Sequence, residues 1–227
     1  MAEIFTAAFW DQYGMLLLTN TRDTLIMVGI STVFAYLLGL PMGVLLVLTG
    51  EHGIWPQKAI NNVLAWIINI GRSLPFLILM VAIMDFTKFL VGTKLGIRGA
   101  IVPLVVSAAP FIARMVETSL AEVDAGVVEA AQSMGASTFQ IVWKVYLPEA
   151  LPSLTLGGSI SVITILAYVA IAGSVGAGGL GDLAIRYGYQ RRIPSMMLVT
   201  VIFLIVLVQI IQSVFSWVSS RIDKRLK

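Results

Sequence analysis

One arginine is a candidate for binding a solute because it lies inside an otherwise apolar segment. Arg72 has Asn69 and Ser73 as near neighbours within residues 60–84. An ionised side chain at membrane depth is costly, so an arginine kept there is a functional candidate by default. Its guanidinium could bind a carboxylate, and Arg72, Asn69 and Ser73 are candidates for lining an aqueous path. The alternative is that Pro75 breaks the helix and places Arg72 near the membrane interface.

Residues for catalysis or metal binding are scarce in this chain. It has no cysteine and one histidine, His52, which rules out thiol chemistry and a histidine-rich metal site. A membrane-embedded enzyme would need a nucleophile with its base, or a set of metal ligands. No carboxylate cluster accompanies His52. We therefore expect a non-catalytic chain that binds neither a metal nor a cofactor of its own.

A glycine-rich run matches a nucleotide-binding pattern by its spacing alone. Gly176, Gly178 and Gly181 satisfy G-x-G-x-x-G, but that motif needs a preceding strand and a following helix in a βαβ unit. Here the run follows an apolar segment of bilayer length, which argues strongly against a nucleotide site. We interpret Gly176, Gly178, Gly179 and Gly181 as a flexible or tightly packed turn at the outer mouth of a pathway. The phosphate-binding motif G-x-x-x-x-G-K-[ST] occurs nowhere in the sequence.

The composition is that of an integral membrane protein. The 227 residues are 58% hydrophobic and 12% charged, and the mean hydropathy is +0.94. Soluble domains carry about 25% charged residues, twice the share found here. The net charge of +3 is too small to suggest a nucleic-acid partner.

The apolar segments predict an all-α protein with five membrane spans. A helix needs about 20 apolar residues to cross the hydrocarbon core. The five candidates lie near residues 24–48, 60–84, 99–116, 154–175 and 196–218. The third has only about 15 residues between Arg98 and Arg114, so we expect it to be short. Residues 4–18 mix aromatic and polar side chains and predict a separate helix lying on the membrane surface.

Gly39 and Gly43 form a G-x-x-x-G pair in the first of these spans. Small residues at this spacing are typical of a close helix crossing. A kink at Pro41 with no role in association is an equally good interpretation.

The distribution of basic residues gives a weak orientation. Counted over all loops, the two sides tie at seven bases each, but the tail after residue 218 has four and the leader before residue 24 has one. Basic residues favour the cytoplasmic side. We therefore predict an outer or interfacial segment over 1–23, a transmembrane domain over 24–218 and a cytoplasmic tail over 219–227. The longest loop, about 117–152, is then cytoplasmic.

The first half of that loop predicts a short helix. Asp124 can cap its start because a carboxylate accepts hydrogen bonds from free N–H groups. Gly135 can end it through a left-handed turn. Its predicted apolar stripe consists of Val127, Ala130, Ala131 and Met134.

The second half predicts another helix. Ser137 and Gln140 have the spacing of a capping box, and Pro148 and Pro152 should end the helix. Its predicted apolar stripe consists of Phe139, Val142, Trp143 and Tyr146. The two helices are either a docking knob for a cytosolic partner or an interfacial hairpin that closes a loop. From the residues alone, these alternatives are about equal.

Several stretches resemble a known transport family. Glu129-Ala130-Ala131-x-x-x-Gly135, followed by Leu147-Pro148-x-Ala150-x-Pro152, resembles the EAA loop of permease subunits in bacterial ABC importers. These permeases are inner-membrane components of binding-protein-dependent transport systems. Residues 72–76, 108–117 and 176–181 resemble the methionine-uptake permeases of that superfamily, including the D-methionine type.

The resemblance implies a fold, a set of partners and a site. It implies a type I-like permease that forms a homodimer in the bacterial inner membrane, surrounded by lipid, with its N-terminus outside and its C-terminus in the cytoplasm. Two separate ATPase subunits would bind ATP and Mg²⁺, and a substrate-binding protein or lipoprotein would deliver methionine or a derivative for import by alternating access. The residues that it implies for contact with the ATPase are Glu129, Ala130, Ala131, Met134, Gly135 and Ala136.

Two other classes of transporter remain as alternatives. One is an ABC permease for another amino acid or small solute. The other is a stand-alone ion-coupled carrier, which usually needs acidic residues within its spans. Spans one, three, four and five show no Asp or Glu in their apolar centres, which counts against a carrier.

Overall fold

The computed structural model describes residues 6–222, and in this range the chain is helical with no strand. The elements, in chain order, are α1 (Ala7–Thr49), α2 (Lys58–Ser73), α3 (Phe76–Ala82), α4 (Met84–Val91), α5 (Gly96–Ala121), α6 (Ala125–Ser133), α7 (Thr138–Ile141), a π-helical turn (Val142–Tyr146), α8 (Leu147–Glu149), α9 (Leu151–Gly173), α10 (Gly179–Leu183), a second π-helical turn (Ala184–Gln190) and α11 (Pro194–Ile222).

Within residues 6–222, four helices are long and apolar enough to cross a membrane: α1, α5, α9 and α11. The pair α2 and α3 is a fifth candidate only if the two are counted as one bent span. The chain leaves the helix at Leu74 and Pro75, since proline lacks the N–H donor and disfavours a helical residue before it. The all-helical architecture is thus confirmed, and the break at Pro75 divides the predicted second span over 60–84 into two helices.

We predicted a separate surface helix over residues 4–18. Among the residues that the structure describes, this prediction was wrong. Helix α1 runs unbroken from Ala7 to Thr49, and residues 4 and 5 lie outside the described range. Polar residues near position 20 do not interrupt the helix because their side chains bond to carbonyls one turn earlier. Asn20 donates to the Leu16 carbonyl at 2.8 Å and Thr21 to the Leu17 carbonyl at 2.7 Å.

The third span is longer than predicted. Helix α5 has 26 residues and includes Arg114 and Glu117, which we had expected to mark its end. These two side chains lie one turn apart and form an ion pair, so neither charge is left unpaired within the helix. Glu117 lies four residues before the end of α5, so the apolar centre of this helix contains no acidic residue.

The described chain forms two compact units, each assembled from separate segments. The first unit contains residues up to 33 together with 74–106 and 162–211. Its core joins the start of α1 to α10 and α11, and it includes Phe9, Leu17, Leu180, Leu183, Met196 and Val199.

The second unit contains residues 34–73, 107–161 and those from 212 onward. Leu46, Ile68 and Ala113 form a buried cluster in it. The G-x-x-x-G pair lies here at a close crossing of α1 and α5 within one chain. A methyl group on Gly39 would lie 2.7 Å from the Ala109 carbonyl oxygen. Helix α1 continues through Pro41, so of our two interpretations the close crossing is correct.

Candidate functional site

Helix α6 is delimited by the residues that the sequence indicated. The Asp124 carboxylate accepts hydrogen bonds from the N–H groups of Gly126 at 2.8 Å and Val127 at 3.3 Å. At the other end Gly135 has φ of +79°, a left-handed conformation that costs glycine little. Ala136 N–H then donates to the Ala131 carbonyl at 3.1 Å, which closes the turn. Both predicted ends of this helix are confirmed.

Helix α7 begins with the predicted capping box. Gln140 N–H donates to Ser137 Oγ at 3.3 Å, and Ser137 N–H donates to Gln140 Oε1 at 2.8 Å. The prediction that Pro148 ends the following helix was wrong. The π-helical turn and α8 carry the helix through Pro148 to Glu149, because proline is tolerated at the first positions of a helical segment.

The outward face of α6 differs from the predicted stripe. Ala131 is buried together with Val128, whereas Val127, Glu129 and Ala130 are exposed. Met134 is 81% exposed. Because Val127 and Val128 are adjacent, the sequence is compatible with a buried stripe through either residue. In the structure the buried stripe runs through Val128. The predicted contact residues therefore divide: Ala131 packs inward, Ala136 is half-buried, and Glu129, Ala130, Met134 and Gly135 are accessible.

The apolar residues after the turn also divide into buried and exposed ones. Ile141 and Tyr146 are buried five residues apart, while Phe139 is 71% exposed and Trp143 is also exposed. A π-helical turn has more residues per turn than an α-helix, which brings positions i and i+5 to the same side. The predicted stripe through Tyr146 was therefore wrong. Phe139 and Trp143 form an outward pair with ring centroids 6.1 Å apart.

A cavity of about 480 Å³ lies beneath α6, within the second unit. Glu129 and Gln132 of α6 line it, together with Glu117 of α5, His52 and Tyr146. Burial raises the pKa of the Tyr146 hydroxyl above its ordinary value of 10.0. No local pattern places His52 beside this loop, since the two are far apart in the chain.

Polar residues of α2 and α5 meet in a cluster within the second unit. Arg114 Nη1 lies 2.5 Å from Glu117 Oε2, and Arg114 Nη2 donates to Asn69 Oδ1 at 3.1 Å. Ser73 Oγ donates to the Asn69 carbonyl at 2.7 Å. Of the three predicted path residues, Asn69 and Ser73 therefore belong to one network.

Arg72 stands apart from that network. It is exposed in the last turn of α2, and it forms no ion pair within residues 6–222. The break at Pro75 that the second interpretation assumed is present, and the role of Arg72 stays a prediction. We did not predict the ion pair of Arg114 and Glu117, although opposite charges at i and i+3 in an apolar helix favour one.

The glycine turn belongs to the first unit, and its second half, Gly179 and Gly181, is tightly packed. Gly176, Gly178 and Gly179 have φ of +88°, +87° and +78°, and Gly179 and Gly181 are buried. Leu180 N–H donates to Thr24 Oγ1 at 2.8 Å. A methyl group on Gly179 would lie 2.7 Å from that oxygen. In the described chain the run lies between two helices, without the strand that a dinucleotide site needs.

Comparison with known proteins agrees with this architecture. Residues 35–227 match the family described as the binding-protein-dependent transport system inner membrane component. The chain belongs to this family. The resemblance that we drew from the loop and from the three other stretches is therefore confirmed.

Curated relatives in the family are named as methionine permeases. The chain is 52% identical to a probable D-methionine transport system permease protein MetI of Vibrio cholerae, over 92% of this chain and 93% of that protein. It is 48% identical to the methionine import system permease protein MetP of Bacillus subtilis, over 80% of this chain and 82% of that protein.

Solved structures show the same fold. A chain from inward-facing conformations of the MetNI methionine ABC transporter superposes with a TM-score of 0.93 at 42% identity, covering 94% of this chain and 99% of that one. An amino acid ABC transporter structure matches with a TM-score of 0.78 at 19% identity, which supports the fold alone.

Proposed function

We propose that this chain is the membrane-spanning permease subunit of an ATP-driven methionine importer. It moves methionine, as the L or D form or a derivative, across the bacterial inner membrane. It does not hydrolyse ATP itself, and ATP and Mg²⁺ bind to separate ATPase subunits. The observation that carries the proposal is the combination of 52% identity to a D-methionine permease with a TM-score of 0.93 to a methionine ABC transporter chain.

The partners follow from the same relationship. Two copies of the chain form the membrane domain, and two ATPase subunits bind at its cytoplasmic face. A substrate-binding protein or lipoprotein delivers the solute at the outer face. Lipid surrounds the apolar helices, of which α11 has only 11% of its most apolar window buried within the chain. This low burial supports a helix that faces lipid or a second copy.

The loop formed by α6, Gly135 and α7 is the docking element for the ATPase. Its outward face carries Ala130 and Met134, a small residue and a flexible apolar one, which allow a partner backbone to approach closely. Phe139 and Trp143 extend this apolar face beyond the turn. An exposed apolar surface of this kind on a membrane protein's polar loop favours a protein partner over bulk water.

Motion of the docking element passes into the membrane through α5 and α9. Helix α5 ends at Ala121, three residues before the Asp124 cap, and α9 begins after Ala150. The hydroxyl groups of Ser119 and Ser153 are 3.1 Å apart and join the two helices at this level. A displacement of α6 therefore moves both helices together, which would close the inner mouth and open the outer one.

ATP binding can drive this change only if the two conformations differ in their contacts with the ATPase. We assign that difference to Glu129, Ala130, Met134 and Gly135.

The domain assignment accompanies this mechanism: residues 1–23 are outside or interfacial, 24–218 form the transmembrane domain with a cytoplasmic loop over about 117–152, and 219–227 are cytoplasmic. Gly176, Gly178, Gly179 and Gly181 form a turn at the outer gate, and Asn69, Arg72 and Ser73 line the path.

Reconstitution distinguishes this function from a stand-alone carrier. Liposomes containing the chain with its ATPase, supplied with binding protein, should take up labelled methionine only when ATP is present on the ATPase side. Liposomes containing the chain alone should show no uptake under a proton or sodium gradient. Gradient-driven accumulation by the isolated chain would show that the proposal is wrong, and ATP-driven uptake of another amino acid in place of methionine would identify the ABC permease alternative.

A further inference from the structure

The ion pair of Arg114 and Glu117 is accessible and lies near the carboxyl end of α5, which ends at Ala121. The side chain of Arg114 is 34% exposed and that of Glu117 is 26% exposed. An accessible ion pair between residues one turn apart contributes little to stability. An accessible pair is therefore poorly explained by stability and suits a solute that can reach both charges.

The surroundings hold the arginine in a fixed position. Asn69 Oδ1 accepts a hydrogen bond from Nη2 of Arg114, and Asn69 is itself tied to Ser73 through its main-chain carbonyl. A guanidinium has five N–H donors in a planar fork, so these contacts leave donors for a further acceptor. A carboxylate is the acceptor that matches this fork best.

Space for a ligand lies beside the acidic member of the pair. Glu117 lines the cavity of about 480 Å³ in the second unit. This volume is within the range of small-molecule sites, which is about 300–1,000 Å³. A ligand that enters here meets the Glu117 carboxylate. Arg114 does not line the cavity, but its guanidinium is paired with that carboxylate.

We propose that Arg114 and Glu117 form a recognition site for a zwitterionic α-amino acid. This inference rests on the proposed import function and adds the residues that bind the charged groups of the solute. The Arg114 guanidinium binds the α-carboxylate, and the Glu117 carboxylate binds the α-ammonium. Without solute the two side chains neutralise each other.

The exchange of partners explains how such a site is selective. A zwitterion gives each side chain a new partner of opposite charge, so no charge is left unpaired. An amine without a carboxylate leaves Arg114 unpaired, and an acid without an ammonium leaves Glu117 unpaired. Leaving a partly buried charge without its partner is strongly unfavourable. The site therefore favours whole amino acids over solutes with either charge alone.

The test measures equilibrium binding to the purified complex of this chain with its ATPase, without the binding protein. The three probes are methionine, the amine that remains when its carboxyl group is removed, and the acid that remains when its amino group is removed. We expect methionine to bind the wild-type complex about tenfold or more tightly than either analogue, as for a lost hydrogen bond to a charged group. Equal affinity for the three probes, or no saturable methionine binding, would overturn the inference.

Variants assign each charge to its residue. Arg114→Gln should weaken binding of methionine and of the acid and strengthen binding of the amine, which no longer leaves Arg114 unpaired. Glu117→Gln should weaken binding of methionine and of the amine and strengthen binding of the acid. The matched control is Arg186→Gln, which removes the basic member of another ion pair, with Asp182, and should change none of the three affinities. Equal losses for all three probes would mean that the pair has only a structural role.

Three further outcomes complete the test, and the last two separate this inference from the import function. If both glutamine variants fail to assemble, the comparison of the three probes on the wild-type complex decides alone. If the wild-type complex imports methionine with ATP but binds the probes without discrimination, the inference fails and the proposed function stands. If it imports no methionine at all, the proposed function fails.

Discussion

Gly135 and Gly92 have the same backbone conformation and the same freedom around them. Each has φ of +79°, and in each case nothing lies within 4 Å of the position where a Cβ atom would be. Gly135 ends α6 in the proposed docking loop, and Gly92 ends α4 in the first unit. Substitutions at the two sites therefore impose the same backbone strain in different surroundings.

This pair gives a controlled test of the docking role. A β-branched residue in the left-handed region costs roughly 1–2 kcal/mol, so Gly135→Val and Gly92→Val should lower thermal stability by similar amounts. Only Gly135→Val should also reduce ATPase co-purification and methionine uptake, because it changes the turn at the proposed interface. Normal assembly and uptake with Gly135→Val would count against α6 as the docking helix.

Gly43 should be intolerant of even a methyl group. A Cβ atom there would lie 2.6 Å from the Cβ of Val116 on α5, closer than side chains pack without a shift. Gly43→Ala should therefore destabilise the chain by about 1–3 kcal/mol, the usual cost of overpacking. Gly29→Ala in the same helix is the control, since nothing lies within 4 Å of its Cβ position. Thermal unfolding in detergent should separate the two variants, and equal melting temperatures would contradict the close crossing.

Arg72→Ala should reduce methionine uptake without affecting assembly. Arg72 is exposed and forms no ion pair in the described chain, so its loss should leave the fold unchanged. Uptake rates per assembled complex measure the effect. The control is Arg22→Ala, which removes an exposed arginine on a different helix, α1. Wild-type uptake by Arg72→Ala would remove this residue from the path.

The ion pair between Asp85 and Lys94 should be sensitive to acid but not to pH near neutrality. Lys94 Nζ lies 2.5 Å from Asp85 Oδ1, and this hydrogen bond together with the lysine's charge holds the pKa of Asp85 below its ordinary value of 3.8. The stabilisation is therefore present above that ordinary value and is lost as the pH falls through the lowered one. Because Asp85 is fully exposed, we expect a small effect.

Melting curves of the wild type and Asp85→Asn check this behaviour. The stability difference between them should be constant around neutral pH and should disappear as Asp85 is protonated. A difference that grows on acidification would contradict the assigned direction of the shift.

The sequence predicted local features best where one residue decides the geometry. The cap at Asp124, the turn at Gly135 and the capping box of Ser137 and Gln140 each depend on a few neighbouring atoms, and the structure has all three. The break at Pro75 is of the same kind, although we gave it only as an alternative.

Features that depend on packing were harder to predict. The choice between Val127 and Val128 for the buried side of α6 depends on what α6 packs against, which the pattern of apolar residues does not contain. The same holds for Arg114. Its charge suggested the end of a span, but Glu117 and Asn69 supply partners that keep it inside α5. That His52 and Glu129 line the same cavity is a tertiary relationship with no local signal.

The most direct test of the account is chemical labelling of α6 in the presence and absence of the ATPase. The chain has no cysteine, so a single introduced cysteine is a unique site. Met134→Cys replaces a side chain that is 81% exposed on the outward face, and Tyr189→Cys replaces an exposed one in the first unit. In the detergent-purified complex, a maleimide reagent should label Met134→Cys much more slowly when the ATPase is bound, while Tyr189→Cys should react equally with and without it. Equal labelling of Met134→Cys in both states would contradict the claim that α6 is the surface on which the ATPase docks.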